Sequence, residues 1–221
     1  MKVILVHNLI AFPHYTCGGL LTDILNETWS DADDRGGISS HYHSLGKIGD
    51  TDTVFKEYDS KILLDKLNQS TAPNGTWIST HCWPTQELIN SFDQVLVIST
   101  ATSRSQIYRW ARTYHHFFKP QWTELQGITK IDKIRETAKN YLIPFDPVQH
   151  PNVINLEFAD LVENTREFQH TINYKDVGNH LIRWQQINSF LYDQNFWNSD
   201  AVMGFYQAEH EIKIGRYYRY D

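Results

Sequence analysis

Val3-Ile4-Leu5-Val6, Pro13-His14-Tyr15-Thr16-Cys17-Gly18-Gly19 and Leu20-Leu21-Thr22-Asp23-Ile24-Leu25 read in order as a strand, a small-residue loop and a helix. The first backbone N–H groups of a helix have no intrahelical partner, and the helix dipole adds partial positive charge at that end. A strand–loop–helix unit therefore favours an anion at the loop. Gly18 and Gly19 let such a group approach the backbone closely. The loop holds no lysine, and its one candidate cation is His14. The competing reading of the same residues is a tight connection with no ligand at all. The pattern matches neither the Walker A motif nor the dinucleotide fingerprint.

Outward from this unit, strand and helix signals alternate. Residues 29–58 form a polar stretch rich in Asp, Gly and His. A helix is expected over Asp59–Gln69, with Ile62, Leu63 and Leu67 on one face. A turn follows at Ala72-Pro73-Asn74-Gly75, then a second strand at Trp77–Thr80 and a helix over Pro84–Ser91. Gln94–Ser99 is a continuous Val-Leu-Val-Ile run of the kind buried in parallel sheets. Helices are expected over Ser105–Phe118 and Asp132–Leu142, separated by a loop at 119–131. A fourth strand at Asn152–Leu156 leads into a helix over Phe158–Thr171. An amphipathic helix at Gly178–Phe196 and a Tyr-rich tail complete the chain. Alternation of this kind predicts an α/β fold, a central parallel sheet flanked by helices. In such sheets ligands sit beyond the carboxyl ends of the strands, here residues 8–19, 80–84 and 99–106.

The 221 residues fit a single domain, 1–221, with ordinary globular composition: 41% hydrophobic and 21% charged. A net charge of -6 argues against general nucleic-acid binding. Aromatic residues make up 14%, and surplus Trp and Tyr fill cores or line sugar and base sites. The two cysteines, Cys17 and Cys82, provide no disulfide framework. The opening apolar run is too short for a signal peptide or a membrane span. A cytoplasmic location without membrane association is the expectation.

Two further constellations lie at strand ends. His81, just past the second strand in Ser79-Thr80-His81-Cys82-Trp83-Pro84, stands where a general base would meet a substrate hydroxyl. An isolated histidine there also serves as a capping or core residue. Thr102, Ser103, Arg104 and Ser105 combine small hydroxyls, a cation and a helix start, a second anion site in principle. The plain alternative is a Ser-rich helix cap with arginine on a solvated face. Arg109, Thr113 and Phe117 share a helix face. His41-x-His43 and His115-His116 have no recognised metal-binding spacing, so no metal is expected. Cys17 or Cys82 beside His14 or His81 is a rival nucleophile–base pair.

The order of these pieces resembles the P-loop sulfotransferases over about residues 1–170. The resemblance rests on the opening unit, on Ser79-Thr80-His81, on Val95–Ile98, on Arg104 and Thr113-Tyr114-His115-His116-Phe117, and on Leu156-Glu157-Phe158-Ala159-Asp160-Leu161. It implies a three-layer P-loop-type fold and transfer of a sulfuryl group from 3′-phosphoadenylyl sulfate to a hydroxyl acceptor, a small molecule or carbohydrate. In that reading His14, Tyr15, Thr16, Cys17, Gly18 and Gly19 form the cradle for the donor's 5′-phosphosulfate. His81 is the catalytic base. Arg104 and Thr113 hold the 3′-phosphate, with Ser105 competing for the hydroxyl role. The chain departs from the family pattern in lacking the loop cation and in carrying Ser79 where a lysine is usual. The alternative function is a non-catalytic ligand-binding or interaction protein that retains the fold.

Overall fold

Leu9, Ile10 and Ala11 are apolar in sequence and fully buried, and they form strand β1 (Asn8–Ala11) at the centre of a four-stranded sheet. The computed structural model describes residues 7–14, 16, 18–25, 63–65, 74–114, 127–163 and 192–215. The other strands are β2 (Trp77–Thr80), β3 (Gln94–Ser99) and β4 (Val153–Glu157). Their order is β2-β1-β3-β4. β1 runs parallel to both neighbours, pairing Ala11 with Thr80 on one side and with Val97 on the other. Parallel strands buried on both faces read as unbroken apolar runs, and Val95-Leu96-Val97-Ile98 is such a run, each residue fully buried. The α/β architecture with parallel strand pairing thus agrees with the pattern of the sequence.

The chain divides into two compact units. The first comprises Met1–Ser99 with Pro147–Leu156, and the second Thr100–Asp146 with Glu157–Asp221. In the first unit helix α1 (Gly18–Leu25) packs against β1 and β2. Asn74-Gly75 turns the chain into β2, with Gly75 at φ 83°, a left-handed conformation that glycine adopts without strain. Helix α2 (Gln86–Ile89) is shorter than the expected Pro84–Ser91. Its N-cap is Thr85, whose hydroxyl accepts from the Leu88 N–H, so Pro84 lies before the helix rather than in its first turn.

The second unit is helical: α3 (Ser103–Thr113), α4 (Gly127–Tyr141), α5 (Phe158–Glu163), α6 (Gln194–Trp197) and α7 (Asp200–Gly215). Its core gathers Trp110 with Ile134 and Ala138 of α4, and with Phe196, Phe205 and Ala208. α4 and α7 approach closely at Gly204, where any Cβ would overlap the Ile134 side chain.

Several expectations are corrected. The strand expected at Val3–Val6 lies outside the described residues, and Asn8, read as the residue past a strand, is itself the first residue of β1. α4 begins at Gly127, inside the stretch 119–131 expected as loop. α7 occupies residues expected only as a Tyr-rich tail. α3 starts two residues before the expected Ser105, because Thr102 rather than a later serine caps it. Of the helix expected over Asp59–Gln69, Leu63–Asp65 are described and helical. The polar stretch 29–58 and residues 178–191 of the expected amphipathic helix lie outside the described residues. Among the described residues no helix is long and apolar enough to cross a membrane.

Candidate functional site

The parallel ladder between β1 and β2 ends with the Phe12 N–H donating to the Thr80 carbonyl at 3.0 Å. The next acceptor along the ladder, the Phe12 carbonyl, is taken by the His81 ring, Nδ1 to oxygen 2.9 Å. A carbonyl oxygen only accepts, so Nδ1 carries the proton and Nε2 is the basic nitrogen of the neutral ring. Thr80 shapes the turn from the strand into this site, because its hydroxyl accepts from the Cys82 N–H at 3.0 Å. His81 is only 9% exposed. The Phe12 ring meets it edge-on, with centroids 4.4 Å apart at 63°. The His14 ring lies over it, with centroids 3.7 Å apart at 38°. His81 is thus fixed on three sides by the loop that follows β1, at the carboxyl end of β2.

The loop itself is tied internally. The buried Thr16 hydroxyl donates to the Pro13 carbonyl at 2.7 Å, so its one proton is engaged within the turn. Only the Thr16 backbone N–H could serve a donor phosphate. Gly18 opens α1, and the space above its Cα is filled by the Phe12 ring, which a Cβ at position 18 would penetrate. The described close approach to Gly18 is therefore that of an aromatic ring. Gly19 lies in the first turn of α1. Tyr15 and Cys17 lie outside the described residues.

Arg104, Ser105 and Thr113 belong to α3 in the second unit. The N-terminus of this helix already faces a carboxylate of the chain. Glu157 accepts from the Thr102 N–H at 3.3 Å, from the Thr102 hydroxyl at 2.7 Å, and from the Ser105 hydroxyl. Unpaired helix N–H groups favour an anion, and Glu157 supplies one. Ser105 in turn accepts from the Ala159 N–H at 2.8 Å. Arg104 pairs with Asp160 at 2.6 Å and with Glu163 at 3.4 Å. These side chains are 51%, 57% and 38% exposed, so the pairs contribute little to stability. Their effect is to balance the charge of Arg104.

Thr113 is fully buried, and its hydroxyl donates to the Arg109 carbonyl at 2.8 Å. Nine residues at 3.6 per turn put Arg104 and Thr113 about half a turn apart on opposite faces of α3. The two side chains do not converge on one point. The nine-residue spacing already implies this in the sequence; what the structure adds is that the Thr113 face is the buried one.

Tyr108, on the same helix, donates to Glu163. Burial, then the hydrogen bond and charge of Glu163, push its phenol up from 10.0 to about 12, while Arg104 opposes the shift. A folded-state value above the unfolded one favours the protonated folded form. That contribution is complete below pH 10 and is lost as the pH rises from 10 to about 12. Tyr108→Phe should therefore flatten the alkaline decline in stability across that window. Chemical denaturation of both proteins at steps from pH 9 to 12 checks it, and parallel declines would refute the assignment.

The chain matches no protein-family model, no curated protein and no solved structure. Among the described residues no cluster of three or more metal-ligating side chains occurs. The second unit holds an open cleft of about 570 Å³ at Trp197, Asn198, Ser199, Met203, Tyr206 and Gln207. None of its described lining side chains is charged. Two participants escaped the sequence reading. Phe12 acts partly through its backbone carbonyl, which leaves no trace in a residue pattern. Glu157 was visible only as part of a family-like segment, with nothing to mark it as the partner of Thr102 and Ser105.

Proposed function

We propose that the chain is a sulfotransferase-like protein with a P-loop-type fold. In this reading it transfers a sulfuryl group from 3′-phosphoadenylyl sulfate to a hydroxyl acceptor, with His81 as general base. The observation that carries the reading is the bond from His81 Nδ1 to the Phe12 carbonyl. It presents Nε2 as the basic nitrogen at the carboxyl end of β2, where ligands of parallel α/β sheets bind. A neutral imidazole in this tautomer accepts the proton that an alcohol loses as it attacks sulfur. The ordered series of family-like segments supports the donor assignment. The backbone N–H groups of Gly18 and Gly19 at the start of α1 are the available donors to its 5′-phosphosulfate. His14, a cation-forming side chain, lies against the base.

The donor reading predicts that 3′,5′-adenosine bisphosphate raises the melting temperature. It predicts further that His81→Asn cuts sulfuryl transfer by about 10²–10⁴-fold while leaving that shift in place. Absence of a thermal shift at millimolar nucleotide would overturn the donor assignment.

A second reading, a non-catalytic binding protein that retains the fold, has its own support. The Phe12 ring fills the space above Gly18, Arg104 is balanced by Asp160 and Glu163, and the loop has no lysine. Loss of a donor facing developing charge costs about 10²–10³-fold in rate. Under this reading His81→Asn changes neither ligand binding nor function.

A further inference from the structure

Gly18 was singled out in the sequence as a residue that lets an anion reach the backbone. The geometry points to a different role: Gly18 is a positioning residue that, through Phe12, holds His81 in the Nδ1–H tautomer. This inference deepens the reading of His81 as a base and rests on it only for its catalytic consequence.

The chain of contacts lies wholly within the first unit. A Cβ on Gly18 would fall on Cγ, Cδ1 and Cδ2 of Phe12, the rigid root of the ring rather than a flexible tip. Phe12 is 4% exposed and packed edge-on to His81, so its ring has no open solvent to retreat into. Any side chain at position 18 therefore displaces Phe12. Phe12 is held between two bonds to β2 and its following turn: its N–H donates to Thr80, and its carbonyl accepts from His81 Nδ1. Moving the ring moves this peptide, and with it the acceptor that selects the tautomer. The neutral imidazole ring has two tautomers, and a hydrogen bond donated by one nitrogen leaves the other nitrogen as the basic one. Without the Phe12 carbonyl in place, Nε2 carries the proton for part of the time and cannot accept one.

Gly18 and Phe12 thus form a size-matched pair: the absent side chain at 18 is the seat of the ring at 12. A residue of this kind touches neither substrate nor reacting atoms and acts through the orientation of another. The glycine would be required here even if no anion ever bound at α1.

The test reads the tautomer directly by NMR of protein labelled with ¹⁵N-histidine, with the His81 signals assigned by their loss in His81→Asn. Wild type at a pH where the ring is neutral is expected to show Nδ1 as the protonated nitrogen and Nε2 as the bare one. Gly18→Ala is expected to lose this single-tautomer signature and show averaged nitrogens. Phe12→Ala with Gly18→Ala is expected to restore it, because the methyl no longer meets the ring and the carbonyl returns to its place. A wild-type signature with Nε2 protonated overturns the inference without need of any variant. So does a Gly18→Ala protein that keeps the wild-type signature, or a double variant that fails to recover it while remaining folded by circular dichroism. A correct tautomer with no response to adenosine bisphosphate would leave this inference standing and sink the donor assignment instead.

Discussion

Trp110→Ala is expected to destabilise the second unit by about 3–5 kcal/mol, the range for removing a large aromatic side chain from a packed core. Trp110 is fully buried and is among the largest side chains so enclosed. It sits on α3 with Tyr114 at the end of the same helix and with Ile134, Phe196 and Phe205, contributed by three other helices of the unit. Its indole Nε1–H donates to the Ala201 carbonyl in the first turn of α7 at 2.9 Å. Truncation removes the apolar area, leaves a cavity that surrounding helices only partly fill, and breaks that tie. At roughly 2–4 °C per kcal/mol for a chain of this size, the thermal midpoint should fall by about 6–20 °C. Trp110→Phe separates the two contributions. It keeps most of the volume and loses the N–H, so about 1–2 kcal/mol is expected. Differential scanning calorimetry of the three proteins decides the matter. A Trp110→Ala protein that melts within 2 °C of wild type would show, with about that margin on the scale above, that the helices do not pack around this residue.

The strands were the most legible part of the fold. β2 and β3 have the bounds that the sequence suggests, Trp77–Thr80 and Gln94–Ser99. Both are short apolar runs flanked by turn residues, and the backbone had little freedom to place their ends elsewhere. The strand expected at Val3–Val6 lies outside the described residues, and β1 is described from Asn8, a residue that the sequence pattern places past a strand. In the structure His7 is fully buried, and the half-buried Asn8 uses its side chain to donate to the Gly75 carbonyl. The helix bounds differ for a physical reason. Ile128, Ile131 and Ile134 recur at helical spacing, but Gly127 and the β-branched residues after it are weak helix formers, and helix is stabilised there by the packing of the rest of α4 against α7. α7 did carry a signal, since Ala201, Phe205 and Ala208 recur at helical spacing and are all fully buried.

The site was legible in its positions and much less so in its partners. His81 stands past the end of β2 as read, and His14 lies against it. What no residue pattern conveys is which atoms are already engaged. The hydroxyls of Thr16, Ser105 and Thr113 each donate within the chain. Arg104 has two carboxylates beside it. A cation and three hydroxyls in suggestive order are thus consistent with a binding site and with a self-satisfied set of caps. Distance between partners decides between these, and distance is the quantity that a linear sequence lacks.

Arg109 shows the same ambiguity with the largest energetic consequence. On α3 it shares a face with Thr113, as an arginine in an anion site might be placed, yet it is only 3% exposed. Its Nη1 donates to the Ile143 carbonyl at 2.7 Å and its Nη2 to the Tyr141 carbonyl at 2.9 Å. Tyr141 is the last residue of α4, where carbonyls lack intrahelical partners and the dipole leaves partial negative charge. The guanidinium therefore caps a neighbouring helix from the side, and its fork matches two carbonyls at once. Arg109→Met keeps the apolar stem and leaves both part-buried carbonyls without this donor. The expected cost is about 1.5–3 kcal/mol, the range for losing hydrogen bonds made by a charged donor. Arg109→Lys retains the charge as a single point and reaches one carbonyl well, so its cost should fall between those of wild type and the methionine variant. Urea denaturation gives the order directly, and equal midpoints for all three would remove the capping role. Hydrogen exchange adds a local reading: amides in the last turn of α4 should lose protection in Arg109→Met before those of its middle turns. A uniform loss along the helix would mean that Arg109 stabilises the unit through its packed stem rather than by holding the end of α4.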